Sequence, residues 1–201
     1  MIDRAPDGFE LAPAVALVDA SSGERAVVGG SVHPPPTLPV ETSLLEGRDV
    51  LLMDGHHPGL ARALVPAAAT RGMPVVVDAG SHKPVFDDLW SRISDVICSA
   101  DYVHPSHRSP ESLLAQGPSL VAVSHGADPL RWWMADGSGE LPVPAVEVLD
   151  TLGAGDVLHG AYAFALADGR NRTAALAFGI AAASRRVATL GPFAWRADLG
   201  E

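Results

Sequence analysis

Continuous apolar segments alternate with helical patterns along most of the chain, and this alternation is the strongest structural signal in the sequence. Runs rich in Val, Leu and Ile are typical of strands buried on both faces, and they occupy residues 50–54, 74–78, 95–98 and 120–124. Apolar spacing of three and four predicts helices over residues 60–71, 86–93, 110–116, 156–167 and 173–190. This order predicts an α/β fold in which helices cover a parallel sheet. Ligands of such sheets bind beyond the carboxyl ends of the strands, which here carry Asp54, Asp78, Ser99 and Ser124.

The N-terminal part of the chain carries a hairpin signal. Residues 14–19 and 25–29 are short apolar runs on either side of a polar turn that contains Gly23, which predicts two antiparallel strands. A Pro-rich stretch at residues 32–36 follows as a stiff connector. We therefore expect two parts, which are a hairpin with its connector over residues 1–40 and a main body over residues 41–201.

A second hairpin is predicted at the edge of the main sheet. Residues 131–134 and 145–149 flank a Gly-rich turn at residues 136–139, and both runs are predicted to be antiparallel strands. Trp132 and Trp133 would then face opposite sides of the sheet. One of them is expected in the core, and the other could cover a ligand or a subunit.

Composition and charge exclude several classes of partner. The 201 residues carry a net charge of −10 without a basic block, so nucleic acid and anionic membranes should be repelled. The N-terminus lacks the basic-then-apolar order of a signal peptide. Cys98 is the one cysteine, which excludes an internal disulfide and favours a reducing, cytoplasmic setting. Its neighbours Val96 and Ile97 indicate a buried, unreactive thiol.

The stretch Asp150-Thr151-Leu152-Gly153-Ala154-Gly155-Asp156 carries the clearest chemistry. It joins an apolar run to an Ala-rich helix, and its small residues let the backbone approach a ligand closely. Their amides and the free amides of the helix start can bind an anion without any Lys or Arg. A carboxylate in the first turn could then take a proton from a hydroxyl that attacks a phosphoryl group. The alternative is that Asp156 is an ordinary N-cap beside a tight turn.

Residues 150–161 resemble the second signature of the PfkB, or ribokinase-like, sugar kinases. The resemblance extends through most of the chain, with residues 13–30 similar to lid strands and residues 49–201 similar to the large domain. It implies a three-layer α/β/α ribokinase-like fold with a small β lid. It also implies that Asp156 is the catalytic base and that the amides of Gly153, Ala154 and Gly155 form the anion hole.

The same resemblance implies that part of the site binds a nucleotide, with ATP and Mg²⁺ as cofactors. Residues 78–83 resemble a strand-end segment of the family with Lys83 in its basic position, and residues 124–126 resemble another that lines the nucleotide. Helix residues 177–187 resemble the helix behind the adenine. The implied nucleotide-binding residues are Lys83, Ser124, Gly126, Thr151, Gly153, Gly155, Ile180 and Ser184. A solvated surface position is the alternative for Lys83.

The sequence departs from the family's pattern in three places. The sequence has no counterpart of the family's first strands, of its substrate-binding Asp or of its Gly-Gly-Asn motif. The NxxE element tied to magnesium would fall near residues 98–103, where Asp101 is the acidic group that could replace it. Ile180 stands where Asn is usual. We therefore expect weak or no sugar phosphorylation by this chain alone, with ATP binding retained. We also expect an exposed sheet edge at residues 50–54 or 75–78 that invites pairing.

Histidines near these strand ends leave further alternatives open. His56 and His57 are adjacent and point in different directions, so a zinc site there is not predicted. His56 could face a substrate or be a polar loop residue. His159, one turn after Asp156, could orient the site or pack beneath the loop.

The resemblance predicts ATP-dependent phosphorylation of a sugar hydroxyl. The alternatives are a truncated, non-catalytic nucleotide-binding homologue and a nucleoside kinase of the same fold. An isolated two-stranded hairpin is marginal in water, so residues 14–29 should lie against another sheet. The same hairpin of a second subunit is the expected partner, which makes a homodimer the expected state.

Overall fold

The computed structural model describes residues 14–18, 25–29, 40–191 and 193–199. The chain divides into two compact units, which cover residues 1–40 and 41–201. The Pro-rich stretch at residues 32–36 lies outside the described residues. No helix in the described ranges is both long enough and apolar enough to cross a bilayer.

The first unit contains the predicted hairpin. Strand β1 (Ala14–Val18) pairs with strand β2 (Arg25–Gly29) in antiparallel register, with Ala14 opposite Gly29 and Val18 opposite Arg25. Val15 and Leu17 lie on the same face of β1, since alternate residues of a strand share a face, and both side chains are exposed. The hairpin therefore presents apolar surface to its surroundings.

The second unit is built on a six-stranded sheet whose strands follow one another in chain order. Four strands are parallel, as the apolar runs predicted: β3 (Leu51–Met53), β4 (Val75–Ala79), β5 (Asp95–Ser99) and β6 (Leu120–His125). Two antiparallel strands complete it, β7 (Asp128–Met134) and β8 (Gly137–Leu141). The helices are α1 (Pro58–Thr70), α2 (Pro110–Leu114), α3 (Ala154–Ala167) and α4 (Arg172–Val187). The α/β class is confirmed.

Both faces of the sheet are covered, as a three-layer fold requires. One face packs against α3 and α4 in a core formed by Val76, Ile97, Leu120, Ala122, Leu130, Leu158, Tyr162, Ala165, Ala175, Leu176 and Ile180. Alternate strand residues such as Val75, Val77, Val96 and Val121 point the other way, and they are fully buried too. Helices α3 and α4 approach closely at Gly179, where a Cβ atom would lie 2.9 Å from the carbonyl oxygen of Leu158.

The edge of the sheet falls where one of the two expectations placed it. Among the described strands, β3 has a neighbour on one side only, whereas β4 lies between β3 and β5. Residues 50–54 therefore contain the edge strand, and the alternative at residues 75–78 was wrong. The side chain of Leu52 on this edge is 38% exposed.

The helix predicted at residues 86–93 is absent. Two 3₁₀ turns, Pro84–Phe86 and Trp90–Arg92, replace it. The amides of Leu89 and Ile93 donate to carbonyls three residues earlier rather than four. These turns still bury the apolar side chains at positions 86, 89, 90 and 93. Their spacing is that of a helix face, which explains the wrong prediction.

The second strand of the edge hairpin was also placed wrongly. Strand β8 begins at Gly137, directly after a two-residue turn, and Met134 pairs with Gly137. Pro142 and Pro144 follow it and lack the amide that a sheet ladder requires. Residues 145–149 are not a strand. At the end of this stretch, the amide of Leu149 donates to the carbonyl of Val187 on α4.

Candidate active site

The loop at residues 150–156 is anchored by a partly buried ion pair. Nη2 of Arg186 on α4 lies 2.7 Å from Oδ2 of Asp150, and Arg186 is only 1% exposed. The amide of Leu152 donates to Oδ1 of Asp150 at 2.9 Å, and the amide of Gly191 donates to Oδ2 at 3.3 Å. The hydrogen bond from the Arg186 guanidinium, followed by that from the Leu152 amide, lowers the pKa of Asp150 below its usual value. The start of the loop is thus fixed to the core.

The loop turns into helix α3 at Gly153. Gly153 is the N-cap residue, and its φ of 76° is in the left-handed region that favours glycine. Asp156 is the third residue of the helix and lies in its first turn. It is therefore not the N-cap, and that alternative was wrong. The amides of Gly155 and Asp156 have no acceptor among the described residues, so the helix start can offer them to an anion.

A cleft of about 360 Å³ opens beside this helix start, at the carboxyl ends of β3 and β4. Its lining contains Leu52, Met53, Asp54, His57, Leu60, Asp78, Asp156 and His159. The structure thus brings Asp156 together with the strand-end carboxylates predicted to mark a ligand site. It also adds His57, which precedes α1, to the same cleft.

Only one of the three carboxylates in the cleft is without a partner in the described part of the chain. Asp54 accepts from the amide of His56 at 3.0 Å and lies 2.9 Å from Nδ1 of that ring. Burial alone would raise the pKa of Asp54, but these contacts with His56 outweigh it and lower the pKa. Asp78 accepts from the amide of Gly80 and contacts His159. Asp156 is exposed and makes no hydrogen bond or ion pair with the described residues.

The histidines occupy different positions, as their adjacency suggested. His56 turns toward Asp54, whereas His57 lines the cleft. The ring of His159 is buried beneath the helix start, where Nδ1 lies 2.6 Å from the carbonyl oxygen of Gly155 and Nε2 lies 3.1 Å from that of Ile97. The sequence analysis discussed His57 only together with His56, as a possible zinc site. Its position between a strand and the following helix was the signal that could have placed it at the cleft.

Gly55 brings the loops after β3 and β4 into close contact. Its φ is 76°, and a Cβ atom there would lie 2.6 Å from the Phe86 ring and 2.9 Å from the stem of Lys83. Lys83 donates from Nζ to Oγ of Ser81 at 2.7 Å. The predicted cation therefore stands beside the loop that carries Asp54, although it does not line the cleft.

The other predicted nucleotide residues lie outside the cleft. Oγ of Ser124 donates to the Cys98 carbonyl at the end of β6, and Gly126 forms the turn into β7 with a φ of 63°. The carbonyl of Thr151 accepts from the amide of Ala154. Ser124, Gly126 and Thr151 follow strands or precede α3, so they share the ligand-facing side of the sheet with Asp156.

Ile180 and Ser184 lie on α4 and are both buried. Ile180 belongs to the core described above. Ser184 is 6% exposed, and its hydroxyl has no hydrogen-bond partner among the described residues. Contact between these side chains and a nucleotide remains a prediction.

A cluster that sequence reasoning missed joins His82, Asp87 and His104. Nε2 of His82 and Nε2 of His104 lie 2.9 and 3.1 Å from the same Asp87 oxygen. Nδ1 of His104 accepts from the amides of Ser106 and His107, so the proton of a neutral His104 ring is on Nε2 and points at Asp87. The ligand atoms are close enough to hold a metal ion. However, a protonated Nε2 cannot ligate one, which favours a hydrogen-bonded brace.

Cys98 and the tryptophans occupy the core and its border. Burial, with the nearby Asp78 carboxylate, raises the pKa of the Cys98 thiol to about 12. The thiol therefore stays protonated, as expected of an unreactive cysteine. Trp132 packs against the core, and a Cβ atom on Gly139 would lie 2.8 Å from its ring. Trp133 is also partly buried.

Comparison with known families places this geometry in context. The profile described as pfkB family carbohydrate kinase matches residues 37–194. The ribokinase of Bacillus subtilis is 30% identical over 130 residues, which are 59% of this chain and 41% of that protein. The chain therefore spans less than half the length of this relative.

Solved structures agree on the fold. A ribokinase from Arabidopsis thaliana, complexed with ribose and ATP, has a TM-score of 0.74 at 19% identity and matches 92% of this chain and 65% of that chain. A putative ribokinase II from E. coli, in complex with ATP and Mg²⁺, has a TM-score of 0.69 at 18% identity and matches 89% and 66%. At these identities the similarity shows a ribokinase-like fold.

Proposed function

The chain belongs to the pfkB family of carbohydrate kinases, and we propose that it carries out ATP-dependent phosphorylation of a sugar hydroxyl at the cleft beside α3. One observation carries the proposal. Asp156 is an exposed carboxylate without a partner in the described chain, and it stands directly beside the free amides of a helix start. This arrangement suits phosphoryl transfer, because positioning and charge stabilisation supply most of the rate of that reaction.

In the proposed reaction, Asp156 accepts the proton of the sugar hydroxyl while the hydroxyl oxygen attacks the γ-phosphorus of ATP. The anion hole for the transferred group is proposed at the amides of Gly153, Ala154 and Gly155, helped by the helix dipole. The Ala154 amide already donates to the Thr151 carbonyl at 3.2 Å, so the free amides of Gly155 and Asp156 would make the main contacts. Asp54 and Asp78 are engaged by His56 and His159, which leaves Asp156 as the available base. The products are ADP and the sugar phosphate.

The nucleotide is proposed to lie along the carboxyl ends of the strands toward β6. Lys83 would supply charge to its phosphates, and the exposed turn at Gly126 would allow close backbone approach. The full set proposed to contact ATP is Lys83, Ser124, Gly126, Thr151, Gly153, Gly155, Ile180 and Ser184. Ile180 and Ser184, which are buried on α4, would pack behind the adenine.

Mg²⁺ is proposed as the second cofactor, and it would neutralise charge on the β- and γ-phosphates. Mg²⁺ takes oxygen ligands and is usually held by one or two carboxylates together with phosphates and water. Asp101, which is exposed in the turn after β5, is the acidic residue that could supply such a ligand in place of the NxxE element.

A product assay tests the proposed function. The purified chain is incubated with ATP, Mg²⁺ and a panel of simple sugars and nucleosides, and phosphorylated products are detected by mass spectrometry. A sugar phosphate supports the proposal, and a nucleoside phosphate would support the nucleoside kinase instead. Calorimetry with ATP is run in parallel. ATP binding without any product would identify a non-catalytic nucleotide-binding homologue.

Substitution of two glycines distinguishes effects on ATP binding at the anion hole from effects on the stability of the fold. A Cβ atom on Gly155 would meet no atom within 4 Å, and it would tilt toward the helix N-terminus, where the phosphate is proposed to bind. Gly155→Ala should therefore unfold at an unchanged or higher temperature while ATP affinity falls by about tenfold or more.

Gly153→Ala is the contrasting variant. Its left-handed φ of 76° would cost about 1–2 kcal/mol for a residue with a side chain, so both stability and affinity should fall. Thermal unfolding and ATP calorimetry measure the two effects. Wild-type ATP affinity in Gly155→Ala would contradict the proposed anion hole.

The hairpin is proposed to act as a lid and to join two copies of the chain into a homodimer. Its exposed Val15 and Leu17 are apolar side chains that a second hairpin could cover. Sedimentation velocity at micromolar concentration should give a dimer, and Leu17→Asp should give a monomer. A monomeric wild-type chain would contradict the proposal. The cytoplasm is the proposed location, because a chain with a single cysteine, which cannot form an internal disulfide, suits a reducing compartment.

A further inference from the structure

The ring of His104 lies at the centre of the loop that follows β5. Its side chain is 4% exposed, although both of its neighbours in the chain are exposed. The centroid of the ring lies 4.7 Å from that of His82 and 6.2 Å from that of Trp90, which both belong to the segment between β4 and β5. A third ring, that of His107 in the same loop, lies at 4.5 Å. His104 therefore packs its loop against aromatic side chains of the preceding segment.

The backbone of residues 103–108 depends on the same ring. No backbone–backbone hydrogen bond joins this stretch to any described residue, so secondary structure does not fix it. Instead, the amides of Ser106 and His107 donate to Nδ1 of His104 at 3.0 and 2.9 Å. A side chain without an acceptor at this position would leave both amides without this partner.

The other nitrogen of the His104 ring links the loop to the segment after β4. Nε2 of His104 lies 3.1 Å from Oδ1 of Asp87, and Nε2 of His82 lies 2.9 Å from the same oxygen. Burial alone would raise the pKa of Asp87, but the hydrogen bonds from His82 and His104 outweigh it and lower the pKa. An ionised carboxylate only accepts hydrogen bonds, so each Nε2 donates to Asp87 whether the rings are neutral or charged.

The two linked segments lie on the ligand-facing side of the sheet. Strands β4 and β5 are parallel neighbours, and ligands of such sheets bind beyond the carboxyl ends of the strands. His82 directly precedes Lys83, the cation proposed to face the phosphates of ATP. The loop that His104 organises therefore borders the part of the site proposed to bind the nucleotide.

We propose that His104 is a positioning residue that, with Asp87 as its partner, holds residues 103–108 beside the segment of Lys83 and so shapes the nucleotide-binding part of the site. The inference rests on the proposed function for the identity of the ligand. The order of the loop is independent of that function and can be measured without any ligand.

Amide hydrogen exchange, followed by NMR, tests the order of the loop in the absence of ATP and sugar. In His104→Gln, the longer side chain can reach Asp87 but places no acceptor at the position of Nδ1. The amides of Ser106 and His107 should therefore exchange about tenfold faster than in the wild type. His104→Asn places an oxygen near that position and should retain part of the protection. Equal exchange of these amides in His104→Gln and the wild type would overturn the proposal.

Asp87→Ala tests the link without changing the packing of the His104 ring, because the Asp87 side chain is 43% exposed. ATP affinity, measured by calorimetry, should fall by about threefold to tenfold, the value of one hydrogen bond. Asp87→Asn keeps the acceptor oxygen and should restore wild-type affinity. Asp88→Ala, at the exposed neighbouring position, is the matched control and should leave affinity unchanged.

Wild-type ATP affinity in Asp87→Ala would overturn the positioning role, and so would an equal loss in Asp87→Ala and Asp87→Asn. If His104→Gln fails to fold, the Asp87 variants still decide the question. If no sugar phosphate is ever formed, the proposed function fails, while loop exchange and ATP affinity still test the role of His104.

Discussion

Replacement of Asp156 by Asn is expected to lower the rate of sugar phosphorylation by about 10²- to 10⁴-fold, the usual contribution of a general base. Asn has nearly the same shape but cannot accept the hydroxyl proton. Because Asp156 makes no hydrogen bond or ion pair with the described residues, the fold should be unaffected. ATP affinity should stay within a few fold, since backbone amides rather than this side chain form the anion hole.

Asp168→Asn is the matched control for this variant. Asp168 is an exposed carboxylate at the other end of α3, where it pairs with Arg170 at 3.3 Å. It shares the helix and the substitution but not the cleft, so turnover should be unchanged. Steady-state kinetics on the best acceptor measures both variants. Near-normal turnover in Asp156→Asn would remove Asp156 from the proposed mechanism.

Replacement of Arg186 by Ala is expected to lower the free energy of unfolding by about 2 kcal/mol, within the range for leaving a buried hydrogen-bonding group without its partner. The loss would leave the Asp150 carboxylate without its cation and would remove hydrogen bonds to the carbonyls of Asp150 and Thr189. Because Asp150 holds the amide of Leu152, the loop that carries the anion hole should also lose order.

Arg185→Ala separates this effect from a general loss of positive charge. Arg185 precedes Arg186 on α4 but is exposed, so its removal should change stability by no more than about 0.5 kcal/mol. Urea titration of both variants measures the difference. Equal stabilities would show that the Arg186–Asp150 pair does not anchor the loop.

At low pH the Arg186–Asp150 pair should no longer contribute to the free energy of unfolding. Arg186 lowers the pKa of Asp150 in the folded protein, so the unfolded chain binds the proton more tightly. The stabilisation is fully present above the ordinary aspartate pKa of about 3.9 and is lost as the pH falls through the lowered folded value. The stability difference between wild type and Arg186→Ala should therefore narrow only below about pH 4.

The parallel strands were predictable because a strand buried on both faces must be apolar at every position. Residues 75–77 and 96–98 show this directly, since all are buried. The 3₁₀ turns around Leu89 were not predictable, because positions 86, 89, 90 and 93 bury one face in either geometry. Likewise, the apolar residues 145–149 resemble a strand by composition, and it is the register of the Gly137 turn that excludes them.

The site was predictable where its residues are neighbours in the chain. The start of α3 and the position of Asp156 follow from one short stretch. The His82–Asp87–His104 cluster could not be found in this way, because His104 lies 17 residues beyond Asp87 and only the fold brings the two together. The burial of Ile180 depends equally on α3 packing over α4.

The shortness of β3 limits how the purified chain can associate. This edge strand has only three residues, and exposed charged residues flank it at Arg48, Asp49 and Asp54. Short, charge-flanked edges are a common protection against strand addition, and three residues offer a second copy few ladder hydrogen bonds. Pairing at this edge is therefore less favourable than its apolar composition suggested. Light scattering over a series of protein concentrations should therefore show a dimer in the wild-type chain and a monomer in Leu17→Asp. Neither protein should grow into larger aggregates.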